Sequence, residues 1–172
     1  MAWRTNVNSV RREKQEKREK KTADKQEALQ DALHLVARAE QFSAGLLLKL
    51  QKKGHSKTDS TAAVEKLTEI GMLDDNRYAR LWLEARMKRR SESPRELSRA
   101  LCGKGIRRSI AAAALKSILS DEDEEPVPSC ELALLRRFMA KNGLNELTSV
   151  NLRERLRFEG FTPEILDYLV DE

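Results

Sequence analysis

One spacing occurs three times along this chain, and it restricts the fold more than any other feature. Leu46, Leu50 and Gly54 stand four residues apart, as do Leu97, Leu101 and Gly105, and again Leu152, Leu156 and Gly160. Ten residues beyond the three glycines stand Val64, Leu115 and Val170, so the copies recur at nearly equal intervals. Leucines four apart lie on one face of a helix. A glycine just past them can adopt positive φ and end that helix. Ser43, Ser93 and Ser149, eleven or twelve residues before the glycines, are the expected N-caps, and Pro94 suits a first helical position. A further helix is expected after each glycine, with Pro163 marking its start in the third copy.

Another amphipathic stretch precedes each pair. Residues 27–40 place Ala28, Leu29, Ala32, Leu35, Val36 and Ala39 on one side. Residues 75–90 place Tyr78, Leu81, Trp82 and Ala85 on one side, and 130–141 offer Leu134, Leu135, Phe138 and Met139. The unit is therefore three helices, and the chain is expected to be all-α: an elongated array of three tandem three-helix repeats with a charged N-terminal extension. Units this small bury their apolar faces well only against neighbours. The expected divisions are an extension at 1–26, repeats at 27–71, 72–120 and 130–172, and an acidic, proline-bearing linker at 121–129. Within "SDEDEEPVPS" the acids repel one another and two prolines block helix continuation, which makes it the best hinge between the second and third repeats.

Composition agrees with helices. Charged residues make up 35% and aromatics 5%, a poor supply for a β-sandwich and a good one for helices of Leu, Ala, Glu, Lys and Arg. The net charge of +5 resides in residues 1–26, and the remaining chain sums to zero. That extension has too little apolar surface to pack, so it is either disordered or an exposed charged helix, serving as a solubilising tail or a phosphate-binding arm. No apolar run approaches membrane-spanning length and no signal peptide is evident, so a cytoplasmic protein without membrane contact is expected. Cys102 and Cys130 form no CxxC pair and read as reduced thiols.

Catalytic chemistry is hard to find. His34 and His55 are the only histidines, and neither has companions at metal-ligand spacing. Neither a GxxxxGK[ST] nor a GxGxxG motif is present. Asp74 and Asp75 read as the cap and dipole complement of the helix they precede. Tyr78 and Trp82 read as core rather than as a base-stacking surface. No catalytic residue, metal or cofactor is expected, and the chain is expected to act as a non-enzymatic monomer.

One stretch stands apart. Residues 86–108 carry nine basic and two acidic side chains. Arg86, Lys88, Arg89 and Arg90 end one helix, Arg95 and Arg99 share a face of the next, and Lys104, Arg107 and Arg108 lie at the following turn. With only Glu92 and Glu96 nearby, the alternatives are a solvated charged face or contact with phosphates or an acidic protein groove.

The same region carries a resemblance. "GMLDDNRYARLWLEARMKRRSESPRELSRALCGKGI", residues 71–106, resembles the centre of the RecX family of bacterial recombination regulators. The residues that match in order and spacing are Gly71, Asp74, Asp75, Tyr78, Ala79, Arg86, Arg89, Arg90, Pro94, Arg95, Leu97, Leu101, Lys104, Gly105 and Ile106. The likeness extends more weakly to "RAEQFSAGLLLKLQKKG" and "LRERLRFEGFTPEIL", and leaves out the stretch 1–26. "SES" at 91–93 stands where the family often has a glycine- and lysine-bearing turn. The resemblance implies a helical-repeat protein that binds the RecA recombinase filament on single-stranded DNA. Such a protein inhibits the filament's ATP hydrolysis and strand exchange, and so modulates recombination, DNA repair and the SOS response. It also implies weak direct DNA binding. A plain DNA-binding protein that competes for single- or double-stranded DNA is the alternative.

Overall fold

A computed structural model describes residues 3–119, 129–144 and 149–171. Among them the helices are α1 (Trp3–Arg38), α2 (Ser43–Lys52), α3 (Lys57–Glu69), α4 (Asp75–Arg89), α5 (Pro94–Gly103), α6 (Arg108–Leu119), α7 (Ser129–Asn142), α8 (Ser149–Phe158) and α9 (Pro163–Asp171). No strand occurs among the described residues, and none of their helices is long and apolar enough to cross a membrane. The chain divides into two compact units, Met1–Asp74 and Asp75–Glu172.

The three glycines end their helices in the same way. Gly54, Gly105 and Gly160 have φ of 102°, 99° and 89°. The N–H groups of His55, Ile106 and Phe161 donate to the carbonyls of Leu50, Leu101 and Leu156 at 3.2, 3.3 and 3.2 Å. Those of Gly54, Gly105 and Gly160 donate to Gln51, Cys102 and Arg157 at 3.0, 2.9 and 3.1 Å. These paired bonds form a Schellman motif, which satisfies the last carbonyls of α2, α5 and α8. The leucines that set the spacing are buried, with Leu46, Leu50, Leu97, Leu101 and Leu156 fully so and Leu152 half-buried. Each fully buried leucine contributes about 1.5–3 kcal/mol relative to exposure.

The capping serines correct the expected register. Of the three expected serines, Ser93 is the N-cap, accepting from the Glu96 N–H at 3.2 Å while Glu96 Oε2 accepts from the Ser93 N–H at 2.9 Å. Ser43 and Ser149 are first helical residues, one position late, and Phe42 occupies the cap of α2. Counted from the glycines, the position of Ser93 is held by Phe42 in the first copy, an offset of twelve residues and not eleven. Ser56 caps α3, accepting from the Asp59 N–H at 3.1 Å.

In the first unit α1 packs chiefly on α3. Several of their buried residues are small, namely Ala28 and Ala32 on α1 and Ser60 and Ala63 on α3, which lets the helices approach closely. Leu46, Leu50, Leu67 and Leu73 complete this core, with Leu29, Leu33, Leu35, Val36 and Val64 packed at its margin. Ala39, expected inward, is exposed beyond the end of α1. Helix α1 continues through residue 26 without a break, and its side chains at 22–27 are exposed. Charged and long polar residues are good helix formers, and i,i+4 pairs such as Gln15 with Glu19 (3.4 Å) assist them.

The second unit holds two three-helix groups, α4–α6 and α7–α9. Helix α4 packs mainly on α6, α5 also packs on α6, and α7 touches α6. The hinge expected at 121–129 lies, apart from Ser129, outside the described residues. Ser129 itself opens α7. The buried carboxylate of Glu131 accepts from the N–H and the hydroxyl of Thr162, both at 2.8 Å, and so caps α9 from another helix. Leu134, Leu135 and Phe138 are buried as expected, and Phe138 meets Phe161 with ring centroids 5.5 Å apart.

Candidate functional site

The register of α4 decides which of its side chains can meet a partner. Ala79, Leu83 and Met87 are buried, four residues apart. Tyr78, Trp82 and Arg86 precede them by one position and are half-buried, while Leu81 and Ala85 are exposed. The expected stripe of Tyr78, Leu81, Trp82 and Ala85 is thus rotated away from the core. An alanine fits where helices approach closely, and the two aromatics lie on the rim with one side packed and one side open. Trp82 is therefore available to cations.

Two cations use it. The Arg86 guanidinium lies 4.8 Å and Lys104 Nζ 5.8 Å from the Trp82 ring centroid. Arg86 is further fixed by Glu92, whose carboxylate accepts from Nε at 2.5 Å and from Nη2 at 2.8 Å. This bidentate pairing holds the Glu92 carboxyl below its usual range and raises Arg86 further above its own. Arg90 approaches the same carboxylate at 4.0 Å. Trp82, Ala85, Arg86, Arg89 and Arg90 line a cavity of about 350 Å³.

The remaining cations separate into kinds. Arg95 stacks on Phe158 of α8, with its guanidinium 3.9 Å from the ring centroid. Lys88, Arg89, Arg99, Arg107 and Arg108 are exposed, and their side chains have no ion-pair partner among the described residues. Glu96 is committed to the cap of α5, and Glu92 chiefly to Arg86. Arg137 Nη1 donates to the Lys88 carbonyl at 3.3 Å and Lys141 Nζ to the Ser91 carbonyl at 3.2 Å, adding two cations from α7 beside the end of α4. The structure thus joins Arg86, Arg89, Arg90 and Lys104 around Trp82, and places Arg95 at Phe158.

Sequence reasoning missed Phe158, Arg137 and Lys141. For Phe158 a signal lies in the repeat alignment. Phe158 stands two residues before Gly160, where the other copies have exposed Lys52 and Gly103. The same alignment makes Trp82 the counterpart of Asp31, each at one shared offset before its glycine, and Lys104 the counterpart of Lys53. Lys53 Nζ donates to Asp31 Oδ1 at 2.7 Å, and His55 Nε2 lies 2.7 Å from Asp31 Oδ2. Asp31 is held below the usual carboxylate range, first by Lys53 and then by His55. Asp74 is the residue before α4, in the N-cap position, and Asp75 opens that helix.

Comparisons with known proteins agree with this architecture. The family profile described as "RecX, second three-helix domain" matches residues 74–115, the α4–α6 group. A "Regulatory protein RecX" of Lactobacillus johnsonii is 29% identical over 160 residues, covering 91% of this chain and 57% of that protein. The chain therefore spans little more than half the length of that relative. A "Regulatory protein RecX" of Thermus thermophilus is 33% identical over 112 residues, covering 65% of this chain and 71% of the relative. A crystal structure of a regulatory protein RecX superposes with a TM-score of 0.69 at 18% identity, covering 93% of this chain and 78% of the other, and so shares its fold. By its identity to the Thermus thermophilus protein and its coverage of that relative, the chain belongs to the RecX family of regulatory proteins.

Proposed function

We propose that the chain regulates the RecA recombinase filament on single-stranded DNA, by binding rather than by catalysis. In this reading the basic face of α4–α6 meets the filament's phosphates or an acidic groove at its ATPase interface. Binding holds one filament state and slows ATP hydrolysis and strand exchange, through differential affinity for that state. Recombination and repair are modulated in consequence. The partner comes from the family resemblance, and the surface from the charge distribution.

The observation that carries the reading is the pairing state of the cations. Lys88, Arg89, Arg99, Arg107 and Arg108 gather between positions 88 and 108 without an ion-pair partner among the described residues, while Arg86 is anchored by Glu92. Unpaired guanidinium groups on rigid helices attract a polyanion and release its counterions on contact. The test is to titrate the protein into RecA on single-stranded DNA while following ATP hydrolysis, and to measure binding to RecA and to DNA separately. Inhibition at concentrations where neither component alone is bound supports the filament reading. Free DNA bound as tightly as the filament would make the protein a competitor for DNA, and unaltered hydrolysis at saturation would rule out the proposal.

A further inference from the structure

We propose that Phe158 is a stacking platform for an unpaired base of single-stranded nucleic acid, with Arg95 backing the ring and Arg99 and Arg157 meeting the flanking phosphates. The proposal rests on the filament reading only for the class of partner, a polyanion. It adds a kind of contact that the basic face alone does not supply.

Phe158 is 64% exposed, although Leu156, two residues earlier, is fully buried and Phe161, three later, nearly so. The fold has no need of an aromatic there, since the equivalent positions in the other repeats are Lys52 and Gly103, both exposed. The ring is held rather than loose. Arg95 lies over it at 3.9 Å, and the Arg95 backbone N–H donates to the Glu159 carbonyl at 3.0 Å, which locks the two side chains' helices together at this point. The rest of the ring faces solvent.

Cations outnumber acids around the ring, with Glu154 one turn before it on α8. Arg99 is one turn beyond Arg95 on the same face of α5, and Arg157 adjoins Phe158. Both are exposed, with no ion-pair partner among the described residues. A pre-ordered aromatic beside unpaired arginines suits a single strand, whose bases present their faces while its phosphates meet the cations. In a duplex those faces are stacked inside, so the phenyl ring discriminates where the arginines do not. The basic surface of the α4–α6 group and this ring on α8 both belong to the second compact unit.

The experiment measures anisotropy of a dye-labelled oligo(dT) strand, and of a duplex of equal length, with no recombinase present. Phe158→Ala is expected to weaken single-strand binding roughly 5- to 100-fold, with an unchanged salt dependence and unchanged duplex binding. Phe158→Tyr is expected to restore the wild-type affinity. Arg99→Glu is expected to lower the slope of log affinity against log salt by roughly 0.7 for the single strand. Far-UV circular dichroism establishes that each variant is folded. Wild-type affinity in folded Phe158→Ala, equal losses for strand and duplex, or no single-strand binding by the wild type would each overturn the platform. Failure here leaves the filament reading to its own ATP-hydrolysis assay, where RecA supplies the DNA contacts.

Discussion

Ser93 Oγ donates to Glu159 Oε2 at 2.8 Å, joining residues 66 positions apart. The same hydroxyl accepts from the Glu96 N–H, so it caps α5 and ties that helix to the turn after α8. The Glu159 carbonyl takes the Arg95 N–H, one of the donors that a helix start leaves unsatisfied. Gly160 lies close by, where a Cβ would be 3.5 Å from that of Pro94. The carbonyl end of α8 thus meets the amide end of α5, and their dipoles attract. Arg95 and Phe158 are brought together by this junction.

Ser93→Ala removes both a cap and a link between the two groups of the second unit. It should cost about 1–2 kcal/mol in denaturant unfolding. Glu159→Ala loses the link but leaves the serine cap. In a double-mutant cycle the pair should show a coupling of about 0.5–1.5 kcal/mol. Strict additivity would mean that the bond between them adds nothing to stability.

The repeat alignment makes opposite predictions for two kinds of residue. Leu50→Ala, Leu101→Ala and Leu156→Ala should each cost about 2–5 kcal/mol, since each leucine is fully buried one turn before its Schellman glycine. Ser60 is fully buried, and its hydroxyl lacks a hydrogen-bond partner among the described residues. Six residues past the glycine, the equivalent position of the second repeat is the buried Ala111. Ser60→Ala should therefore stabilise the first unit by about 1 kcal/mol. A lower melting temperature for that variant would show that the hydroxyl is satisfied in solution.

The repeat was legible because glycine, leucine and helix termination obey local rules. Positive φ at Gly54, Gly105 and Gly160, and burial of the leucines before them, follow from spacing alone. The rotation of α4 was not legible, because Tyr78 and Trp82 look apolar in a helical wheel. Only the close approach of α6 shows that Ala79 and Leu83 take the centre. Contacts between distant segments were equally hidden. Nothing local foretells that Glu131 caps α9 or that Phe158 receives Arg95. The charge run is visible in the sequence as a density of cations, but the division into anchored Arg86 and unpaired Arg89 or Arg99 required coordinates.

The carboxylates do not all respond to pH in the same direction. Asp31 and Glu92 are held below their ordinary range by Lys53 and Arg86. Their stabilisation is present above the unfolded carboxylate pKa and is lost as pH falls through the depressed folded values. Glu131 is opposite, pushed above its ordinary 4.5 first by burial. Its folded state holds the proton more tightly, so its contribution is full below 4.5 and is lost as pH rises through the raised value. Glu131→Gln cannot ionise and escapes this loss. Its stability relative to wild type should improve as pH rises from the acid side of the carboxylate range to neutrality. A difference between the two that is constant with pH would show that Glu131 titrates alike in the folded and unfolded chain.

The arginines of the basic face should separate into structural and binding members. Arg86 makes two charge-assisted bonds to a largely buried Glu92 and covers Trp82, so Arg86→Ala should destabilise the second unit by about 2 kcal/mol. Arg89, Arg99 and Arg107 have no such duties among the described residues. Reversing all three to Glu should leave the melting temperature nearly unchanged and abolish inhibition of RecA-dependent ATP hydrolysis. If the partner groups are DNA phosphates, the salt slope of direct binding should fall by roughly 0.7–0.9 for each phosphate no longer neutralised. If they are acidic side chains on RecA, direct DNA binding should change little while inhibition still disappears. One triple variant therefore distinguishes the two partners. A folded triple variant that inhibits at the wild-type concentration would remove this face from the functional surface and direct attention to the α1 extension, whose charge is also positive.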